Sequence, residues 1–295
     1  MSKENTQVLF SKRPFDGQLL VKAYYLSLDP AMRGWMNATR SYIRPVEINE
    51  IMRGQIVGEV VLSKNPKFKV GDKVQGFLGW QEYALTNGQD IEKSRNPPPG
   101  ASLRDYVGIF GGTGMTAYFG LLDGKPKPGD TVVVSGAAGA TVNDLGFDIA
   151  LNYRDPEFAS KLAKATPQYI DIYFDNVGGD ILDHCLKRIA KNGRIVLCGA
   201  ISQYNEKQPK GPAFYTALIT QRAKMEGFII FDYAQKFPIA IKDMAKWLQE
   251  GKIKRKEYII DGLENAPNGL LKLFNGYNTG KMLVKVNDEN VKSKL

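Results

Sequence analysis

Through the first 120 or so positions, short apolar runs alternate with turns. Leu19–Leu28 reads as a strand stopped by Asp29-Pro30, Gly54–Val61 as a second, Phe68–Gly76 as a Gly-Asp turn entering a third, and Trp80–Leu85 as a fourth. The two glycines of the second run suit the bends of a small β-barrel. Asn96-Pro97-Pro98-Pro99-Gly100 punctuates the chain ahead of a predicted helix near Leu103–Ile109. Gly111–Leu122 is a flexible turn feeding another helix, and Lys125–Asp130 resets the chain.

From residue 131 the rhythm changes. Thr131–Val134 predicts a short buried strand, followed by the small residues Gly136-Ala137-Ala138-Gly139-Ala140-Thr141. Such a run lets backbone pass close to a ligand, often a phosphate at the start of a helix. Ile149–Tyr153 predicts a short strand, Pro156–Ala165 a helix, Tyr169–Asn176 a buried strand, and Ile181–Ile189 an amphipathic helix stopped by Asn192-Gly193. Arg194–Gly199 is a further strand, Phe214–Lys224 a helix, Met225–Ile230 a strand, and Phe237–Gln249 a long helix with Gly251 past its end. This alternation predicts an α/β protein with a parallel sheet and helices on both faces. No internal repeat or low-complexity tract interrupts it.

Composition narrows the class. A length of 295 residues suggests two domains or one large one, and 43% apolar with 24% charged residues is ordinary for a soluble globular chain. No apolar run approaches the roughly 20 residues of a membrane span. Met1–Thr6 lacks an apolar signal core, so a cytoplasmic protein is expected. Cys185 and Cys198 are the two cysteines and His184 the one histidine, whereas a catalytic zinc takes three protein ligands. The same scarcity excludes a Ser/His or Cys/His nucleophile unless His184 is the base. Forty Lys+Arg against 31 Asp+Glu leave +9, consistent with solvated faces or with a basic cleft for phosphates. The basic residues do not interleave with aromatics along one element, which argues against nucleic acid.

In a parallel sheet of this kind, ligands sit beyond the carboxyl ends of the strands. Those tips are Gly136–Thr141, Asn152-Tyr153, Asp175–Gly179, Cys198–Tyr204 and Phe228–Ile230, each carrying small or hydrogen-bonding groups. Taken singly each is an ordinary turn. Five in register describe a polar cleft lined partly by backbone.

Four segments then carry a resemblance: Leu26-Ser27-Leu28-Asp29-Pro30-Ala31-Met32-Arg33-Gly34-Trp35-Met36, Phe174–Gly179, Cys198–Asn205 and Asn278-Thr279-Gly280-Lys281. The chain resembles, over nearly its whole length, the zinc-independent medium-chain dehydrogenase/reductases of the prostaglandin reductase (leukotriene B4 12-hydroxydehydrogenase) and plant double-bond reductase type. The resemblance implies a GroES-like barrel catalytic domain (residues 1–120 and 275–295), an inserted Rossmann-type domain (121–274), and a homodimer. It implies NADPH as cofactor and a small-molecule enal or enone as substrate, with hydride going to the β-carbon and Tyr204 serving the resulting enolate. Cofactor contacts implied by position are Met115, Thr116, Gly136, Ala137, Gly139, Ala140, Tyr153, Asn176, Cys198, Gly199, Ala200, Ile201, Ser202, Tyr204, Phe228, Ile229, Ile230 and Asn278. Met32 and Arg33 would help form the substrate mouth, with Tyr42 and Trp80 as apolar walls and no metal. Ala31 stands where some members have a tyrosine. Two rivals remain: a quinone reductase on the same scaffold, and a catalytically dead relative acting as a binding protein, for RNA on its +9 surface.

One departure is plain. The family continues the small-residue turn through a glycine into a helix, a strand and a basic loop that grips the 2′-phosphate. Here Val142 replaces that glycine, and Asn143–Asp148 already resembles the segment after the loop. Roughly 30 residues are wanting on βαβ dimensions. Either they are missing from the sequence as written, or the chain truly lacks them, as a splice form would, or it is a degenerate relative.

Overall fold

The computed structural model describes residues 14–94, 97–136 and 147–289. Its strands are β1 (Leu19–Ser27), β2 (Ile56–Ser63), β3 (Lys73–Gly76), β4 (Tyr83–Thr86), β5 (Ile91–Lys93), β6 (Val132–Val134), β7 (Ile170–Asp175), β8 (Ile189–Leu197), β9 (Lys224–Gly227), β10 (Glu257–Asp261) and β11 (Lys281–Lys285). They form two sheets, a seven-stranded one in the order β10-β11-β1-β2-β3-β5 with β4 also on β1, and a four-stranded one in the order β6-β7-β8-β9.

The first sheet is antiparallel except where β10 runs parallel to β11. All nine residues of β1 are buried because β2, β4 and β11 each pair with part of it. Burying Leu19, Val21 and Leu26 completely contributes about 1.5–3 kcal/mol each before entropy is counted. Gly58 serves a close approach rather than a bend alone, since a Cβ there would fall 2.2 Å from the Lys22 carbonyl oxygen. The expected strands within 19–28, 54–61, 68–76 and 80–85 are present with shifted ends: β2 and β4 start later than expected and run past Val61 and Leu85, and β3 occupies only the end of its segment. β5, β10 and the helix Ala266–Asn275 were not read from the sequence.

The second sheet is wholly parallel. Its period-2 pattern sorts two cores. Ile172 and Phe174 meet the helix Gly112–Gly124, approaching the bare backbone of Gly124 and Gly120. On the other face Tyr173 and Ile195 pack with Leu182, Cys185 and Leu186 of the helix Gly179–Leu186.

Four local expectations fail. Ile149–Tyr153 is no strand: Ile149 is 54% exposed and Tyr153 56%, and β6 pairs on one side only, with β7, among the described residues. Asn192-Gly193 does not stop a helix but lies inside β8. There Asn192 takes φ 62°, and the β7/β8 register shifts between Ile170 and Ile172. Residues 214–224 fold as a short helix, Ala217–Thr220, before β9 begins. Leu103–Val107 is a single 3₁₀ segment rather than an α-helix.

Candidate active site

Asp175, at the end of β7, is fully buried, and its Oδ1 collects four hydrogen bonds. Tyr173 Oη donates at 2.7 Å, and Ser135 Oγ, Val177 N–H and Gly178 N–H each donate at 2.9 Å. Ser135 Oγ in turn accepts the Asn176 N–H at 2.9 Å, and Asn176 Nδ2 donates to the Ser135 carbonyl at 2.7 Å. The Asp175 carbonyl accepts Cys198 N–H and Gly199 N–H at 2.9 and 3.1 Å. One acidic residue thus ties the tips of β6, β7 and β8 together. It is also the one carboxylate in these tip segments, and its charge is turned inward.

The turn that follows packs tightly on the tip of β8. Gly178 and Gly179 have φ of 69° and 57°, the left-handed region that glycine enters without strain. Ser202 N–H and Ser202 Oγ both donate to the Val177 carbonyl, at 3.1 and 2.6 Å.

Tyr204 stands at the centre of this tip. Its Oη accepts the Ala200 N–H at 3.2 Å and lies 3.0 Å from where a Cβ on Gly199 would be, so only glycine leaves the hydroxyl its place. Burial raises the phenol above its ordinary 10.0. The Ala200 hydrogen bond opposes that, while Cys198, Tyr42 and Asp175 add to it. Tyr204 is therefore a neutral hydrogen-bond donor at working pH. Cys198 is pushed up to about 12, by burial first and Asp175 second, so it is a thiol and no nucleophile.

The first sheet faces this cleft. Arg33, on the helix Ala31–Trp35, donates from Nε to Asn205 Oδ1 at 2.9 Å and from its guanidinium to Asn37 Oδ1 at 2.5 Å. Tyr42 accepts Trp35 Nε1–H at 2.7 Å and stacks obliquely on Phe231, which meets Phe77 edge-on. Gln55 Oε1 accepts Gly112 N–H at 3.2 Å, and Thr113 Oγ1 donates to Asp29 at 3.3 Å. Lys281 donates to the same Asp29 oxygen at 2.6 Å and to the Leu28 carbonyl at 2.9 Å. Burial would raise the Asp29 carboxyl, but Lys281 with the Ser27 and Thr113 hydroxyls outweighs it and holds the group below the usual range.

The structure thus gathers Gly136, Asn176, Cys198–Ser202 and Tyr204 at one place, with Arg33 and Tyr42 opposite. Ile230 reaches the start of the helix Gly112–Gly124, near Gly112. Other expected contacts lie elsewhere. Met32 is fully buried in the barrel cluster, and half-buried Trp80 packs against the same cluster, so both hold the wall from behind. Met115 is buried in a second cluster, and Thr116 Oγ1 is spent on the Gly112 carbonyl. The Phe228 ring meets Phe174 and Tyr233 edge-on. Tyr153 is exposed beside Arg154, and Asn278 Nδ2 caps the Gly280 carbonyl in the turn before β11. Ala137, Gly139 and Ala140 lie outside the described residues. Cavities of about 540 and 320 Å³ also lie off the site, beside the helix Ala266–Asn275 and between Arg194 and Glu226.

Among the described residues no three His, Cys, Asp or Glu side chains converge to hold a metal, and no helix is long and apolar enough to cross a membrane. His184 packs edge-on against Phe158, and Cys185 is buried beneath Tyr173.

Residues 9–94 match the family described as the N-terminal domain of oxidoreductase, and residues 130–247 the family described as zinc-binding dehydrogenase. The putative NADP-dependent oxidoreductase YfmJ of Bacillus subtilis is 41% identical over 308 residues, covering 93% of this chain and 90% of the relative. The 2-alkenal reductase (NADP⁺-dependent) of Nicotiana tabacum is 36% identical over 321 residues, covering 98% and 93%. The crystal structure of CurA in complex with NADPH from Vibrio vulnificus superposes with a TM-score of 0.87 at 38% identity, covering 98% of this chain and 96% of that one. The Bacillus match spans 308 positions, while 93% of 295 residues is about 274, so some 34 positions have no residue here.

Proposed function

Because the chain belongs to the zinc-independent medium-chain dehydrogenase/reductase family, in the branch of the alkenal and prostaglandin double-bond reductases, we propose that it reduces the C=C bond of α,β-unsaturated aldehydes and ketones with NADPH. The observation that carries this reading is Tyr204: a neutral phenol held at a strand tip, its hydroxyl fitted against the bare Gly199.

The donor set suits the nicotinamide end of such a cofactor. Backbone, hydroxyl and amide groups of Ser135-Gly136, Asn176 and Cys198–Ser202 line the tips, and the one carboxylate among them is buried and saturated on one oxygen. When bound, the cofactor supplies a hydride to the substrate's β-carbon. Tyr204 donates a hydrogen bond to the substrate carbonyl oxygen as negative charge grows there, and a neutral phenol does this without a metal. Arg33, through Asn205, holds the loop after Tyr204 against the barrel side, and Tyr42 with Phe231 offers an aromatic wall for a conjugated substrate.

The two sheets support a division into a barrel unit and a nucleotide unit, with one difference from the expected bounds: β10 (Glu257–Asp261), expected in the inserted unit 121–274, pairs with β11 in the barrel sheet; a homodimer goes with the family. Light scattering reads the latter directly. NADPH oxidation with a panel of enals, enones and quinones tests the activity. Saturated carbonyl products support the proposal, quinol formation alone transfers it to the quinone reductase rival, and silence across the panel ends it.

A further inference from the structure

Resting on that reading of the strand tips, we propose that this chain grips the nicotinamide end of its cofactor and carries no basic clamp on the adenosine 2′-phosphate, so that NADPH and NADH bind with similar affinity. In a doubly wound nucleotide sheet, the residue that meets the ribose 2′ position lies about 20 residues beyond the glycine turn, at the tip of the next strand. Twenty residues past Gly139 is Ala159, inside the helix Phe158–Ala165, and the next strand is β7, which begins at Ile170.

Three observations agree. Ten residues, 137–146, separate the described Gly136 from Phe147, whereas an average helix of about 11–12 residues followed by a strand of 5–6 needs more. β6, which would sit between β7 and that missing strand, has no partner on its outer side among the described residues, and Val132 is 39% exposed. Ile149–Tyr153, which the pattern marks as a strand, lies exposed and unpaired, as it must if its neighbour in the sheet is gone. The 34 or so positions without a residue here are about as many as one helix and one strand with their loops would take. The nicotinamide side is untouched by this loss, since Asp175, Asn176, Gly199 and Tyr204 all stand beyond β7 and β8.

A basic clamp on a phosphate makes paired, charge-assisted hydrogen bonds and discriminates at least tenfold against the ligand lacking it. Without one, only the general field of a +9 chain favours NADPH, and salt screens that. The test is a binding titration at physiological ionic strength, following the change in reduced-nicotinamide fluorescence, on protein whose intact mass is 32.8 kDa. Dissociation constants for NADPH and NADH within about threefold of one another are expected. NADPH binding tenfold or more tighter than NADH overturns the inference and leaves the proposed activity standing. Absence of binding by both at millimolar concentration overturns the inference and the proposed activity together.

Discussion

Replacing Asp175 with Asn probes how the cleft is held together. The oxygen that accepts from Tyr173, Ser135, Val177 and Gly178 becomes a neutral amide oxygen, and such bonds are about half as strong as those to a carboxylate. The new NH₂ occupies the place of Oδ2, which has no hydrogen-bond partner in the protein, and a buried unsatisfied donor costs about 1–3 kcal/mol. Weakened bonds and orphaned donor together come to about 2–4 kcal/mol. At about 2–4 °C per kcal/mol for a chain of this size, the melting temperature should fall by about 4–16 °C. Ser135→Ala, which removes one donor of the four, should cost about 1 kcal/mol. Because the same carboxylate sets the Asn176–Gly179 turn, cofactor binding should weaken by more than the thermal loss explains, and this is read at a temperature where both proteins are fully folded. Differential scanning calorimetry with a cofactor titration decides. Asp175→Asn protein that melts within 1 °C of the parent and binds cofactor equally well would refute the hub.

Other outcomes follow from the same geometry. Tyr204→Phe should lower kcat by roughly 10²-fold with little change in the melting temperature. In the parent the alkaline fall of activity assigned to this phenol should lie above pH 10, because its value is raised. Both thiols are pushed up to about 12, so Cys185 and Cys198 should resist iodoacetamide at pH 8 in the folded protein, and mass spectrometry showing rapid labelling of either would contradict this. Asp29 is held below its ordinary value, so its contribution is fully present above about pH 4 and is lost as the pH drops through the lower folded value. Lys281→Met should therefore cost about 1–3 kcal/mol at neutral pH, a deficit that shrinks as the pH falls and Asp29 takes up a proton, as denaturant unfolding followed by circular dichroism at neutral and acid pH would show.

What could be read in the chain beforehand was whatever local pattern decides. Leu19–Leu28 and Tyr169–Asn176 announced buried strands because their apolar density exceeds what a loop tolerates, and the tip motifs around Asn176 and Tyr204 announced the cleft. Ile149–Tyr153 carried the same strand pattern and failed, because a strand requires a neighbour and none pairs with it among the described residues. Asn192-Gly193 looked like a helix stop, yet β8 absorbs both residues at a register shift. Long-range ties were invisible. Nothing near Asp175 in sequence says that Ser135 donates to it, and nothing near Arg33 names Asn205. Met32 and Trp80 show what a motif read by position leaves out, since Met32 is buried in the barrel cluster and Trp80 packs against it.

The central claim is hydride delivery to the β-carbon of an enone with Tyr204 serving the carbonyl oxygen. NADPH deuterated at the transferring position, incubated with the protein and a simple enone, should yield the saturated ketone with deuterium on the β-carbon, visible by NMR, and Tyr204→Phe protein should yield it about 10²-fold more slowly. Deuterium on the carbonyl carbon of an allylic alcohol, or no product with a correctly folded protein, would contradict the account.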